Sequence, residues 1–270
     1  MLAGVARSVS GNDAAVDVAA FEDWMDKVGV DVPHGGLATF KGLRGVKATD
    51  RISCGDVLVS YPRSATMDLA SATECPCADL VDPAFWDGIL EQWFVKLALW
   101  LVSEQRKGVD SQWSEYIALL PSEMPTPFHW TDAQLDLLSY PPAVADVHEQ
   151  RALFADIHRQ VSAAARAPLE PEELYHAMEM AISRAFDSYT PPPANLDLLG
   201  RLMGRGGTAP VPAGVLKAFV PMGDAFNHLS SAHPVFGYEP GNDRFTIESD
   251  RNYTAGEQAS LESQTLNPKP

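Results

Sequence analysis

The sequence has little positive charge, few cysteines and no long hydrophobic run. Its 270 residues contain 20 Lys and Arg against 36 Asp and Glu, which gives a net charge of −16. Because basic side chains that neutralise phosphates supply most nonspecific affinity for nucleic acids, this balance argues against a nucleic-acid partner. The longest apolar block, residues 97–102, is far shorter than the roughly 18 residues of a membrane span. We therefore expect no membrane insertion.

Targeting signals and structural disulfides are also missing. The first twenty residues contain one basic residue, Arg7, and no apolar core, which is unlike a secretory signal. The three cysteines, Cys54, Cys75 and Cys77, cannot all pair, so we expect a reducing, intracellular compartment. The cytoplasm is favoured over the nucleus or a plastid. Cys75-Pro76-Cys77 offers too few ligands for zinc, which usually needs four, and no metal is expected.

The chain is rich in strand signals at both ends and in helix signals in the middle. Alternating apolar residues bounded by turn residues predict strands at 37–40, 45–48 and 57–61. From Asp82, apolar residues recur at helical spacing up to Gly108 and predict one helix there. Further helices are expected from a capping box at Thr131, after the prolines at 141–142, and from Pro171 to the prolines at 191–193.

Strand signals return near the carboxyl end. A short apolar strand is predicted at 218–222, and a hairpin at 235–239 and 244–248 around the turn 240–243. A Gly- and Pro-rich loop is expected before it, at 195–215. Both β-rich segments are too small to be stable alone. The simplest architecture is therefore α+β, with one β domain interrupted by a large helical insertion.

Three groups of residues could carry chemistry. Asn227-His228 offers hydrogen-bonding groups to a planar ligand, although polar residues often simply end a strand. Arg184 on the fourth helix could clamp a carboxylate in bidentate fashion, or form a surface salt bridge. The glycines around Leu43 would let a ligand approach the backbone, or form an ordinary β-turn. Asp224, His228 and His233 match no metal-ligand pattern that we recognise.

Taken in order, several short motifs are more specific than any one of them. They are Phe21-Glu22-Asp23-Trp24, the stretch 42–48, Trp113-Ser114-Glu115-Tyr116 with Leu120-Pro121, Ser183-Arg184-Ala185-Phe186, the stretch 220–224 with Asn227-His228, and Ala255-Gly256-Glu257-Gln258. This set resembles the SET-domain protein methyltransferases. Within them it resembles the subfamily with a helical insertion, which includes the RuBisCO large-subunit lysine and actin-histidine methyltransferases. The resemblance covers residues 20–258.

The resemblance implies small SET-type β-sheets, a knot-like C-terminal segment and S-adenosyl-L-methionine (AdoMet) as cofactor. Residues 1–18 would be a flexible N-terminus, 19–80 and 211–258 the two parts of the SET domain, 81–210 the helical insertion and 259–270 a divergent tail. Lys41, Gly42 and Leu43 would line the cofactor through their backbone. The remaining implied roles are cofactor carboxylate binding by Arg184, adenine binding by Asn227 and His228, and substrate binding by Asp224 and Tyr238.

The sequence departs from the family pattern after the Gly256-Glu257-Gln258 turn. The family continues into an aromatic strand with the catalytic tyrosine, whereas Ser263 stands at the corresponding position here. Serine cannot reach or donate as a phenol does. The knot-like segment is therefore expected to be incomplete, as in a chain truncated at the C-terminus. Tyr253, which precedes the turn, is interpreted as a packing residue rather than a substitute.

The predicted function is AdoMet-dependent lysine N-methylation of a non-histone protein, with an exposed lysine on a protein partner as acceptor. Two alternatives stay open. One is a catalytically inactive SET-like interaction module, favoured by Ser263. The other is transfer to histidine, since no remaining residue distinguishes the two acceptors. The sequence leaves the substrate protein and the oligomeric state open.

Overall fold

The computed structural model describes residues 18–89, 92–187, 217–229, 232, 235–239 and 241–261. The N-terminal part contains helix α1 (Val18–Val28) and strands β1 (Gly35–Phe40), β2 (Leu43–Ala48), β3 (Val57–Pro62) and β4 (Met67–Asp68). The helical part contains α2 (Pro83–Gly88), α3 (Trp93–Lys107), α4 (Ser114–Leu119), α5 (Asp132–Asp136), α6 (Pro141–Ala164) and α7 (Pro171–Arg184). The C-terminal part contains β5 (Phe186–Asp187), β6 (Lys217–Phe219), β7 (Asn227–His228), β8 (Val235–Glu239), β9 (Arg244–Glu248) and β10 (Gln258–Leu261).

Strands from both ends of the chain share each of the three sheets that the described residues form. The sheets have the orders β1-β2-β10-β7, β3-β9-β8 and β4-β6-β5. In each of them an N-terminal strand pairs with a C-terminal strand, namely β2 with β10, β3 with β9 and β4 with β6. The helices α2 to α7 are inserted between these halves. The predicted α+β architecture with a helical insertion is confirmed.

The prediction of one helix from Asp82 to Gly108 is wrong in length, because the structure has two helices there, α2 and α3. Ile89 has φ −84° and ψ 72°, and Gln92 is also outside the helical region. The predicted start is correct, since the Asp82 carboxylate accepts a hydrogen bond from the amide of Ala84. The end at Gly108 is also correct, with φ +58° at that glycine. Residues 97–104 of α3 are all buried, so this helix is covered on every side there and is the central helix of the insertion.

The fourth predicted helix ends earlier than its apolar spacing indicated. α7 stops at Arg184, and the chain then turns extended at Ala185 with ψ 138°. Phe186 pairs with Ala218 of β6, so the strand ladder overrides the helical periodicity here. The prolines at 191–193 and the predicted loop at 195–215 lie outside the described residues. As a result Arg184 stands on the last helical turn, next to the C-terminal β part.

The hairpin of β8 and β9 has the predicted bounds, and Glu239 pairs with Arg244 across the turn. Beyond the predicted boundary at 258, β10 continues to Leu261. It pairs antiparallel with β2 and parallel with β7, with Ser260 opposite Asn227. The predicted boundary at 258 therefore falls within β10, which pairs with both β2 and β7.

Candidate active site

A tight turn after β6 directs an acidic side chain into the protein. The turn carries Met222 at φ 68°, in a region that non-glycine residues seldom occupy. The amide of Asp224 donates to the carbonyl of Val220 at 3.1 Å, which closes the turn. The side chain of Asp224 is only 5% exposed. A buried carboxylate needs compensating partners, because its transfer out of water is costly.

Two side chains from the helical insertion supply those partners. The Tyr116 hydroxyl on α4 donates to Asp224 Oδ2 at 2.9 Å. Arg184 Nη1 on α7 donates to the same oxygen and to the Asp224 main-chain carbonyl, each at 3.2 Å. One acidic group thus ties the turn after β6 to two helices of the insertion. These partners are 108 and 40 residues away in sequence.

Burial dominates the electrostatics of this group. Desolvation raises the pKa of Asp224 above its ordinary value, and the positive charge of Arg184 and the Tyr116 hydrogen bond oppose the rise. The charge of Arg44 acts in the same opposing direction. Burial, followed by the nearby Asp224 charge, also raises the pKa of the Tyr116 hydroxyl well above its usual range. Tyr116 is therefore a neutral hydrogen-bond donor at physiological pH.

One donor of this arrangement has no acceptor. Arg184 Nε is buried and finds no hydrogen-bond partner among the residues that the structure describes. A buried donor without an acceptor costs about 1–3 kcal/mol. Such a group therefore suggests that a ligand completes the site. Because the donor belongs to a guanidinium, the matching chemistry is an anionic oxygen such as a carboxylate.

The hairpin of β1 and β2 closes the other side of the site. Lys41 and Gly42 form its two-residue turn, with φ 49° and 86° as a type I′ turn requires. The Asn227 side-chain amide donates to the carbonyl of Arg44 at 2.9 Å. A Cβ on Gly45 would lie 2.6 Å from Asn227 Nδ2, so this approach requires glycine. The Arg44 guanidinium donates to the carbonyl of Leu119 at the end of α4.

We call Arg44, Tyr116, Arg184, Asp224 and Asn227 the Asp224 cluster. It lies where the N-terminal β part, the helical insertion and the C-terminal β part meet. Three of its members, Arg184, Asp224 and Asn227, were expected from the sequence, and the structure brings them together with the hairpin of Lys41 and Gly42. Leu43 at the hairpin is 68% exposed, so an apolar side chain is available beside the cluster.

Sequence reasoning missed the roles of Tyr116 and Arg44. Tyr116 is part of a quoted motif, but nothing local indicates that its hydroxyl contacts a residue 108 positions away. Arg44 lies between the two glycines of the hairpin, where its main-chain carbonyl accepts from Asn227. The sequence shows only that Tyr116 lies within a predicted helical region and Arg44 within a predicted turn. It does not show which residues they contact.

Tyr238 belongs to a different group of residues, on the sheet of β3, β9 and β8. Its hydroxyl donates to Asp243 Oδ1 at 2.7 Å, and the guanidinium carbon of Arg63 lies 5.2 Å from its ring centre. Arg63 also lies over the ring of Phe245 and pairs with buried Asp68. We call Arg63, Asp68, Tyr238, Asp243 and Phe245 the Arg63 cluster. A substrate contact of Tyr238 stays a prediction.

The other predicted residues are placed as follows. His228 is exposed on β7, opposite Leu261 of β10. Ser263 and His233 lie outside the described residues. Tyr253 is buried, and its hydroxyl lies 3.3 Å from the amide and 3.4 Å from the carbonyl of Ser260. These contacts support its interpretation as a packing residue.

Within the described ranges, no group of three or more His, Cys, Asp or Glu side chains could hold a metal ion. None of the helices that the structure describes is long and apolar enough to cross a membrane.

Comparison with known proteins is consistent with this geometry. No family model matches the sequence. The chain is 27% identical over 224 residues to the actin-histidine N-methyltransferase of Gallus gallus, which covers 79% of this chain and 34% of that protein. Its match to the enzyme of Homo sapiens is 26% identical over 247 residues, 87% of this chain and 38% of that protein. The chain thus spans little more than a third of these relatives.

Solved structures show the same architecture. The SET domain of LSMT bound to lysine and AdoHcy matches with a TM-score of 0.70 at 18% identity, over 92% of this chain and 53% of that chain. Rubisco LSMT bound to AdoMet matches with a TM-score of 0.67 at 17% identity, over the same shares of the two chains. The chain therefore has the fold of a SET domain. Within that fold it resembles, by sequence, the actin-histidine N-methyltransferases, and the resemblance seen in the motifs is confirmed.

Proposed function

We propose that this chain is the SET-domain part of a protein N-methyltransferase that uses AdoMet as methyl donor. The observation that carries the proposal is the buried Nε of Arg184, which has no hydrogen-bond partner among the described residues and lies at the meeting point of three chain segments. AdoMet carries an α-carboxylate, which matches this donor in charge and hydrogen-bonding chemistry. The relatives and structural neighbours support the same class, because they are named as methyltransferases or are bound to AdoMet or AdoHcy.

The remaining residues of the site fit the rest of such a cofactor. The side-chain amide of Asn227 already donates to the Arg44 carbonyl, so its oxygen is the group that would accept from an adenine amino group. His228 follows it on β7, at the same end of the site. The turn of Lys41 and Gly42 and the exposed side chain of Leu43 would lie along the cofactor. Asp224 would act through Arg184, whose guanidinium it holds in place.

The bound cofactor would supply a sulfonium methyl group, and the protein would supply alignment. An acceptor nitrogen must be neutral to attack, and an apolar channel lowers the pKa of an amine by desolvation. Catalysis then depends mainly on holding acceptor, methyl and sulfur in line. Asp224 and Tyr238 are the side chains that we propose for substrate contacts. Asp224 is buried and contacts Arg184 and Tyr116, whereas the Tyr238 hydroxyl donates to Asp243, whose side chain is exposed.

The acceptor residue separates two forms of the proposal. The curated relatives are named as actin-histidine N-methyltransferases, which favours histidine. The structural neighbours include a SET domain bound to lysine, which favours lysine. We propose a protein side chain as acceptor, with lysine as the acceptor expected from the family resemblance and histidine as the alternative. Ser263 at the expected tyrosine position favours a third form, an inactive module that binds its protein partner without turnover.

Calorimetric titration with S-adenosylhomocysteine (AdoHcy) tests the cofactor site. We expect micromolar binding that Asn227→Ala weakens about tenfold, roughly the value of one buried hydrogen bond. Asn242→Ala is the matched control, because Asn242 is exposed and contacts Glu239 in the β8–β9 turn. The Asn242→Ala variant should bind AdoHcy with the same affinity as the unchanged protein. Absence of binding to a folded, monodisperse sample would overturn the proposal.

Transfer of labelled methyl groups from AdoMet to actin and to RuBisCO tests the activity. Mass spectrometry of the modified peptide would identify the acceptor as lysine or histidine. Label on either side chain supports the methyltransferase. Binding of AdoHcy together with stable capture of a protein partner, but without label, would replace the enzyme by the inactive module.

A further inference from the structure

Two cysteines lie in contact in the loop between β4 and α2. The Sγ atoms of Cys75 and Cys77 are 3.7 Å apart. Cys77 is fully buried, at 0% exposure, whereas Cys75 is half-buried. The carbonyl of Cys77 accepts hydrogen bonds from the amides of Leu80 and Val81, at 2.9 and 3.0 Å. The buried cysteine is therefore anchored, and the outer cysteine stands in front of it.

The distance is short enough for the two sulfurs to bond after a small movement. A disulfide needs about 2.05 Å between sulfurs and about 4.4–6.8 Å between Cα atoms. Residues two positions apart span at most about 7 Å, and the chain turns at Pro76 and Cys77, so a Cα separation in this range is geometrically accessible. A change in the side-chain torsion of the accessible Cys75 would close most of the gap. The anchored Cys77 would not need to leave the core.

We propose that Cys75 and Cys77 form a thiol–disulfide exchange site whose oxidant is a small-molecule disulfide such as oxidised glutathione. In the first step the Cys75 thiolate attacks one sulfur of the disulfide, and the other sulfur leaves as a thiolate. In the second step the Cys77 thiolate attacks Cys75 Sγ and expels the second small thiolate. The protons of the two cysteines go to the two leaving thiolates. The cysteine pair is oxidised and the small disulfide is reduced to two thiols.

The two cysteines differ in access, which sets the order of the steps. A reagent in solution reaches Cys75 first, because Cys77 is covered. Burial raises the pKa of the Cys77 thiol, and the negative charges of ionised Cys75 and Asp79 act in the same direction. The thiolate is the nucleophile, so the second step is slower than it would be with a cysteine of ordinary pKa. The proximity of the two sulfurs partly offsets this. The mixed disulfide on Cys75 should therefore accumulate before the ring closes.

Two tryptophans near the cysteine pair provide a fluorescence signal for this reaction. Pro76, between the two cysteines, lines a cavity of about 390 Å³ together with Trp100 and Trp113. The two indole rings meet edge to face with centres 5.7 Å apart. A rearrangement of the Cys75-Pro76-Cys77 segment changes the surroundings of both rings. Oxidation should accordingly shift the tryptophan fluorescence of the protein.

The test uses a Cys54→Ser background, because Cys54 is exposed and would react independently. Treated with oxidised glutathione, this protein should gain one glutathione and then end as a monomer whose mass is lower by two hydrogens. Adding Cys77→Ser should stop the reaction at the single adduct. Adding Cys75→Ser should reduce the reaction rate at least tenfold. A stable adduct, or no change of mass, in the Cys54→Ser protein would overturn the proposal.

Discussion

The Asp224 cluster and the Arg63 cluster contain the same residue types but differ in how many of the arginine's donors have a hydrogen-bond acceptor. Each contains a buried aspartate, an arginine that pairs with it, and a tyrosine hydroxyl that donates to a carboxylate. In the Arg63 cluster, Nη1 pairs with Asp68 and Nε donates to Asp243 at 3.1 Å. Two aromatic rings cover the same guanidinium. In the Asp224 cluster, Arg184 Nε has no acceptor within the described part of the chain.

This difference separates a structural ion pair from a binding site. In the Arg63 cluster both Nη1 and Nε of the arginine have carboxylate acceptors, and these pairs connect β4 to the β8–β9 hairpin. The Asp224 cluster connects its elements equally well but retains one donor for a ligand. A buried Arg–Asp pair is weak evidence of function by itself, because such pairs also occur purely as structure. The incomplete hydrogen bonding of the arginine is the more informative property.

The largest expected effect comes from removing each arginine. Arg184→Ala and Arg63→Ala each leave a buried carboxylate without its cation, so each should lower the free energy of unfolding by about 3–5 kcal/mol. AdoHcy affinity should respond differently. Arg184→Ala should weaken binding at least tenfold, since a hydrogen bond to a charged group contributes about 1.5–3 kcal/mol. Arg63→Ala should leave binding unchanged.

Denaturant unfolding and calorimetry, both below the unfolding temperature of the weaker variant, measure these two quantities. Equal losses of AdoHcy affinity in the two variants would remove the distinction between the clusters.

A smaller effect is expected from removing each tyrosine hydroxyl. Tyr116→Phe deprives buried Asp224 of a hydrogen bond and should lower the free energy of unfolding by about 1–3 kcal/mol. Tyr238→Phe removes a bond to Asp243, which is 59% exposed and can turn to water. Its loss should be below about 0.5 kcal/mol, as for other changes at exposed polar contacts. Urea unfolding of both variants at pH 7 measures the difference, and a larger loss for Tyr238→Phe would contradict it.

The smallest expected effect concerns pH: the contributions of Asp224 and Asp243 to the free energy of unfolding should change in opposite directions as pH rises. Burial raises the pKa of Asp224 above its ordinary value of 3.8, so the folded state binds its proton more tightly than the unfolded state. The contribution of Asp224 to stability therefore falls as pH rises from that value to the raised one. The hydrogen bond from Tyr238, followed by Arg63, lowers the pKa of Asp243. Its contribution is present above pH 3.8 and is lost as pH falls through the lowered value.

Unfolding free energies between pH 3 and pH 7 for Asp224→Asn and Asp243→Asn, each subtracted from the unchanged protein, measure these slopes. The difference for Asp224 should decrease with rising pH, and that for Asp243 should increase. Slopes of the same sign would show that burial does not distinguish the two carboxylates.

Features set by neighbouring residues were predictable from the sequence. The turn of residues 240–243 gave the bounds of β8 and β9, and Pro171 gave the start of α7. The end of α7 at Arg184 was missed, since Phe186 pairs with a strand that begins more than thirty residues later. The break at Ile89 was also missed.

The same limit applies to the site. Arg184, Asp224 and Asn227 were recognised individually by residue type and motif. The Arg184–Asp224 pair joins residues 40 positions apart, and the Tyr116–Asp224 pair joins residues 108 apart. No local signal specifies such pairs, so the contacts that decide the chemistry required the fold.

The interleaving of N- and C-terminal strands has a consequence for how the protein is made. β2, β3 and β4 emerge from the ribosome long before β10, β9 and β6, their partners in the described sheets. Unpaired strand edges are prone to associate with other chains, and long-range pairing is slow. The helices of the insertion pack mainly on one another, α3 on α7 above all, so they can form in the meantime. We therefore expect the free edges of the first strands to need protection from association until residues 217–261 have been synthesised.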